Sequence, residues 1–530
     1  MTKRKYIFLL LLISFSIGSF SQKNTTAIPI QEDEKWWGGA VALGAEMPFG
    51  KQLNLIDLST TNLNNQVVPL LLSSNGRYIW SKRPFQFSIK NNVILLNSDS
   101  REINVNQSGN TLKDAYLVAS AKYFAPSGRI PDSLFFTQPT YNTWIELTYN
   151  QNQKDILNYA NQIIKNNFPA GILMIDDNWQ KYYGNFEFKP DKFQNPKAMV
   201  EKLHQQGFKV MLWVCPFVSA DSPEFRWLQE KGFLIKQRGT NKAAMISWWN
   251  GNSACLDLTN ANAFDYIKNK LQAVQKEYGI DGFKFDAGDI EHYVGDFDFF
   301  DNKATSVTLS ERWAQLGLNF PFNEYRACWK MGGEALVQRL GDKPYSWDAI
   351  QLLIPQILAA GLMGHAYTCP DMIGGGEFMS FMNVDQTKLD QALILRSAQI
   401  HALMPMMQFS VAPWRILSAE NLAICRKYAY LHQKFGKYIL QLAKESSKTG
   451  EPIVRLMEYA YPHQGFSTCK DEFMLGNKYL VAPILNKDNI REVKLPKGNW
   501  CDDQGKTIKG DTTFTVNAGL ERLPYYEKIN

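Results

Sequence analysis

Between residues 131 and 447, short apolar runs alternate with longer amphipathic ones, and this rhythm constrains the fold more than any other feature of the chain. "YNTWIEL" (141–147) precedes "QKDILNYANQIIKN", and "GILMIDDNW" (171–179) precedes a loop and then "NPKAMVEKLHQQG". "FKVMLWVCPFV" (208–218) leads through a long loop containing "SWWNGNSACLDLTN" to "ANAFDYIKNKLQAVQKEYG", and "DGFKFDAG" reads as a fourth strand. "NEYRACW", "VQRLGD", "GHAYTCPD" and "ALMPMMQFS" bring the count to about eight. Continuous apolar strands separated by helices belong to a parallel sheet with covered faces, so the segment predicts an α/β fold, a (β/α)8 TIM barrel. A doubly wound open sheet is the alternative, but no Gly-rich phosphate-binding turn follows any strand.

The flanks have a different grain. Residues 22–130 carry short apolar runs and turn signals such as Ser74-Asn75-Gly76, without a long helical period, and predict an N-terminal β-sandwich. Residues 448–530, with "DEFMLGNKYLVAPIL" and "REVKLPKGNWCDD", predict a small C-terminal β-domain after the barrel of residues 131–447. Residues 1–21 read as a signal peptide: Lys3, Arg4 and Lys5 precede "YIFLLLLISFSIGSF", which is short for a stable membrane anchor and ends in small residues. The expectation is an exported chain, periplasmic or secreted. Loss of those three cations from 57 basic residues leaves +3 against 51 acidic ones, which gives no footprint for nucleic acid. The size of the chain excludes a disulfide scaffold, the absence of CxxC spacing among its seven cysteines excludes a zinc site, and export is compatible with one or two disulfides of unassigned pairing.

Chemistry-bearing residues gather at strand ends, where a barrel builds its site. They are Trp144, Asp176 and Asp177, Trp213, Lys284 and Asp286, Arg326, and Asp342. A single strand-end Asp is usually a cap on the next loop; so many together are harder to explain that way. Strand alternation puts Lys284 and Asp286 on one face and turns Phe283, Phe285 and Ala287 toward the helices. A lysine beside an acid keeps it ionised, as a nucleophile requires, but from the strand alone an inert ion pair fits equally well. Asp342, at the end of "VQRLGD", supplies the second carboxyl group that glycosidic hydrolysis needs. Asp176, Asp177 and Asp286 also suit a hard cation, although Lys284 among them would oppose it. The chain lacks a P-loop and a G-x-S-x-G elbow, and Trp144, Trp213, Trp248 and Trp249 offer faces for a sugar or for packing.

With these residues in view, most of the chain beyond the signal peptide resembles glycoside hydrolase family 31. "FKFDAGD" resembles the family's nucleophile motif, which implies Asp286 as nucleophile, and "QRLGD" resembles its acid/base motif, which implies Asp342. Arg326 matches the family's sugar-binding arginine. "MIDDNW" resembles the acid motif that grips hydroxyls, and "SWWNGNSACLDLTN" resembles the Trp-bearing loop. "KFDAG", "IDDNW" and "QPTYNTWIEL" point to the α-galactosidase-type branch, whose K-x-D pattern makes Lys284 a donor to galactose hydroxyls. α-Glucosidases of the family carry Trp in that place, and α-xylosidases carry K-x-D as "KTDFGE". The resemblance therefore implies a retaining exo-α-galactosidase with α-xylosidase or α-glucosidase as the alternative, and a non-catalytic glycan-binding protein as the rival of another class. Lys284, Arg326, Asp176 and Asp177 would hold ring hydroxyls, Trp144 and Trp249 would shape the subsite, and no cofactor is called for. Two departures stand out: no R-x-H follows the last strand, and Asp289 stands where Glu commonly closes the nucleophile motif.

Overall fold

Eight parallel strands form the central sheet of the computed structural model, which describes residues 24–98, 103–382, 385 and 388–529. The signal peptide expected at residues 1–21 lies outside the described residues. The strands are β1 (Thr140–Asn142), β2 (Ile172–Ile175), β3 (Lys209–Val214), β4 (Gly282–Phe285), β5 (Phe322–Tyr325), β6 (Gln338–Arg339), β7 (Thr368–Cys369) and β8 (Gln408–Phe409). Each overlaps one of the eight apolar runs, and consecutive strands pair from β1 through β7, with β8 returning to β1. The seam between β7 and β8 carries no ladder; there the Ile373 N–H donates to the Gln408 carbonyl at 2.8 Å.

Helices cover the barrel after most strands, among them Gln153–Lys165, Pro196–Gln205, Ala261–Tyr278, Ser306–Gly317 and Ala419–Thr449. Between β5 and β6 there is none. Instead Cys328–Trp329 leaves the barrel and pairs with Gln66–Ser73 of an N-terminal sheet (Cys328↔Gln66, Trp329↔Val67). A parallel crossover needs an apolar layer over it, and here the N-terminal sheet supplies the layer that a helix supplies elsewhere. The Gln66 amide also donates to the Arg326 carbonyl (2.6 Å) and to Gln338 (3.0 Å). Asn65 accepts from the Gly341 N–H at 2.8 Å, so the N-terminal loop is stitched to the C-terminal ends of β5 and β6.

Two local expectations differ from the structure. "YNTWIEL" is a strand only over Thr140–Asn142; Trp144–Leu147 is a short helix, so Trp144 stands on a helical turn beyond the strand end. The segment before residue 130 holds, besides two sheets that meet through Phe87 and Leu71 around Gly39, the helix Leu112–Tyr123. Its start is a capping box between Thr111 and Asp114. Its buried face is built largely of Ala115, Ala119 and Ser120, whose small side chains leave little hydrophobic period to read. A six-stranded and a two-stranded sheet follow residue 450, with their own core around Met457, Trp500 and Tyr526. Among the described residues no helix is long and apolar enough to cross a membrane, and none of the seven cysteines is bonded to another.

Candidate active site

Alternation along β4 sorts its side chains. Phe283 and Phe285 face outward, Phe285 against Trp313 (5.4 Å) and stacked on Tyr325 (4.9 Å), and each ring contributes ~1.5–3 kcal/mol on burial. Lys284 and Asp286 therefore face the barrel axis. The register Trp213↔Lys284↔Glu324 places those three in one layer, with Asp176 just beyond Ile175, the partner of Leu212. Asp286 and Arg326 sit one layer nearer the mouth.

Lys284 is 5% exposed and donates to Asp176 at 2.7 Å, with Asp286 at 3.8 Å. Trp213 Nε1 donates to Asp286 Oδ2 at 2.9 Å, and Arg326 Nε donates to Oδ1 at 3.1 Å. Burial alone would raise the Asp286 pKa. The charges of Lys284, Arg326 and Arg339, with the Trp213 bond, outweigh it and hold the carboxyl well below the usual carboxylate range. Asp177 takes the opposite course: burial, then repulsion from Asp176, pushes it up to about 7. Its Oδ2 accepts from Asn250 at 2.7 Å, while Oδ1 is buried without a partner.

After β4 the chain turns through Ala287 (φ 56°) and Gly288 (φ 75°), where a Cβ on Gly288 would stand 2.2 Å from the Trp313 ring. That turn brings Asp289 back under Arg326, in a two-pronged pair at 3.0 and 2.6 Å. Asp289, the last residue of "FKFDAGD", is thus the seat of Arg326.

Asp342 follows β6 in a different setting. Its side chain is 41% exposed, against 12% for Asp286, and it pairs with Arg339 Nη1 at 2.7 Å. Trp249 is half-exposed on the hairpin between Ile246–Trp248 and Gly251–Cys255, with Arg326 5.7 Å from its ring centre. Trp144 donates to the Gly376 carbonyl at 3.2 Å and meets Tyr149 and Phe378 edge-on. Of the ten side chains singled out in the sequence, Trp144, Asp176, Asp177, Trp213, Trp249, Lys284, Asp286, Arg326 and Asp342 line one cavity of about 470 Å³ at the C-terminal mouth, while Trp248 is buried in packing beside it.

The cavity also has walls that sequence reasoning missed. Asn64 comes from the N-terminal loop, and Glu377, Phe378 and Met379 come from the loop after β7. No local signal marks Asn64, whereas "GGG" before Glu377 is a signal of close backbone approach that sequence reasoning passed over. A hard-cation site finds no support: Lys284 occupies the space beside Asp176, and among the described residues no cluster of three His, Cys, Asp or Glu is arranged for a metal.

Fold and site together define a barrel protein of the glycoside hydrolase class. The chain belongs to glycosyl hydrolase family 31: residues 136–442 match the family's TIM-barrel domain and residues 450–530 its C-terminal domain. Curated relatives include the myogenesis-regulating glycosidase of Mus musculus, 32% identical over 76% of this chain and 58% of that protein. Another is alpha-glucosidase 2 of Bacillus thermoamyloliquefaciens, 26% identical over 71% of this chain and 51% of that protein. The chain thus spans little more than half the length of these two relatives. Among solved structures, the GH31 dextranase of Flavobacterium johnsoniae complexed with glucose superposes with a TM-score of 0.83 at 20% identity, over 96% of this chain and 66% of that one. At that identity the likeness is one of fold.

Proposed function

We propose that the chain is a retaining exo-α-glycosidase acting on a terminal α-D-galactosyl residue. The observation that carries the reading is the contrast between the two aspartates. Asp286 is 12% exposed and held ionised by Lys284, Arg326 and Trp213, while Asp342, 41% exposed, stands at the solvent side of the same cavity. An ionised carboxylate attacks; an accessible carboxyl group exchanges protons with water. Asp286 forms a bond to the anomeric carbon as the glycosidic C–O bond breaks, and the departing oxygen keeps the electron pair and takes the Asp342 proton. Water then attacks the same carbon, gives its proton to Asp342 and releases Asp286.

Asp176, Asp177 and Lys284 form a polar floor for ring hydroxyls. Lys284, two residues before Asp286, supports galactose by the K-x-D likeness. The relative named alpha-glucosidase 2 supports a second reading, glucose in the same subsite, with xylose as the other K-x-D alternative. A panel of 4-nitrophenyl α-glycosides separates them: cleavage of the glucoside or xyloside without the galactoside refutes the galactose assignment. NMR of the first-formed anomer tests retention, which needs carboxyl groups about 5–5.5 Å apart. Asp286→Asn is expected to lose turnover by several orders of magnitude; a wild type that turns over no member of the panel, yet binds a sugar as tightly as the variant does, favours a glycan-binding protein.

A further inference from the structure

Arg339 is one buried cation shared among three carboxylates. Its side chain is 1% exposed, and its Nη1 donates to Asp342 at 2.7 Å and to Asp371 at 2.9 Å. Its Nε lies 3.4 Å from Glu324 Oε1, and both atoms lack a hydrogen-bond partner. Asp371, just beyond β7, has a fully buried side chain. Its second oxygen, Oδ2, accepts two backbone donors, Lys343 N–H at 2.7 Å and Gly376 N–H at 3.0 Å. The first of these adjoins Asp342, and Gly376 carries the carbonyl that anchors Trp144. A Cβ on Gly376 would lie 2.7 Å from Asp342 Oδ1 and 2.8 Å from Asp371 Oδ1, so a bare backbone is what admits the two carboxyl groups side by side.

We propose that Asp371 is a positioning residue that keeps Asp342 able to hold a proton, by taking up part of the Arg339 charge. The inference rests on the reading of Asp342 as proton donor. A carboxyl group facing an unshared buried guanidinium stays ionised and cannot donate. With Asp371 on the same Nη1 and Glu324 beside Nε, the field of Arg339 at Asp342 is offset. The other cations whose charge reaches this cluster are Lys343, Lys284 on β4 and Arg326 after β5. Asp286 and Glu377 are the remaining acids in the cavity beside Asp176 and Asp177. Burial pushes Asp371 itself up to about 6, Arg339 countering, which fits a group that shares one compensating charge with a neighbour.

Asp371→Asn isolates the effect. With its carbonyl in the place of Oδ2, asparagine still accepts both backbone donors, and its NH2 group then faces Arg339 as donor against donor. The guanidinium is left to Asp342. The assay is the pH profile of kcat/KM on an alkyl α-glycoside that the wild type cleaves, whose departing oxygen needs the Asp342 proton. The alkaline limb is expected to move to lower pH by about one unit in Asp371→Asn. A 2,4-dinitrophenyl glycoside, whose leaving group needs no proton, is expected to show no such move. An alkaline limb that stays at its wild-type position overturns the proposal, as does an equal loss at every pH on both substrates. Should Asp371→Asn fail to fold, Glu324→Gln removes the other carboxyl group beside Arg339, which burial pushes up to about 7, and above that pH is expected to move the limb in the same direction; an unmoved limb there overturns the proposal. Wild-type protein that cleaves no α-glycoside refutes the underlying reading instead, and this proposal with it.

Discussion

Replacing Asp289 by asparagine tests whether the turn after β4 sets the site. Arg326 makes three close bonds to acids: Nε to Asp286 at 3.1 Å, and Nη1 and Nη2 to Asp289 at 3.0 and 2.6 Å. Its remaining contacts, to the Asn64 carbonyl and side chain, are long at 3.3 and 3.5 Å. Asparagine keeps one acceptor for the guanidinium and puts an NH2 group where the second was. The change forfeits one charge-assisted bond, worth about 1.5–3 kcal/mol. If that anchoring is spent on holding Arg326 against Asp286 and the substrate, about 2 kcal/mol appears as a roughly thirtyfold loss in kcat/KM. The assay is steady-state hydrolysis of the best aryl α-glycoside of the panel by wild type, Asp289→Asn and Asp289→Glu, with folding checked by thermal melts. Glutamate restores the charge and is expected to recover part of the loss. Wild-type kcat/KM in Asp289→Asn would refute the reasoning, because Arg326 would then be held by something other than Asp289.

Lys284→Met leaves Asp176 and Asp286 buried without their ammonium. The Asp286 pKa then rises, the acid limb of kcat/KM moves up by about one unit or more, and urea unfolding shows a loss of about 3–5 kcal/mol; an unmoved limb would count against Lys284 as the group that keeps Asp286 ionised. Burial pushes His365, His401 and His432 down to about 3, 3 and 4. Between pH 6.5 and about 4 the unfolded chain therefore binds protons that the native state refuses, and these groups lower stability as pH falls. His401→Met is expected to shrink the drop in urea stability between pH 6.5 and 4.5 by about 2 kcal/mol, and an unchanged pH slope would refute this account.

The family and the fold class were legible because they rest on local periodicity and on motif residues adjacent in the chain. The eight apolar runs alternated with amphipathic ones, and each overlaps one of the eight barrel strands. Lys284 and Asp286 were placed on one face by the two-residue repeat alone. Less visible was the crossover from β5 to β6, because the layer that covers it is a strand far away in sequence, Gln66–Ser73. Trp144 was read onto a strand because Trp and Ile suit strands and short helices alike.

The sequence by itself determined the barrel and put Lys284 and Asp286 on one face of a strand, since both follow from periodicity along the chain. Only the tertiary structure decided what those groups feel. Asp286 and Asp342 are the same residue type at the ends of two strands, β4 and β6, yet one is 12% exposed among three donors and the other stands 41% exposed beside a shared arginine. Asp289 shows the same division. Its spacing offered no role, and the left-handed turn at Ala287 and Gly288 gives it one by folding it back onto Arg326. A protonation state is set by every charge within a few ångströms in space, and distance along the chain does not report those charges.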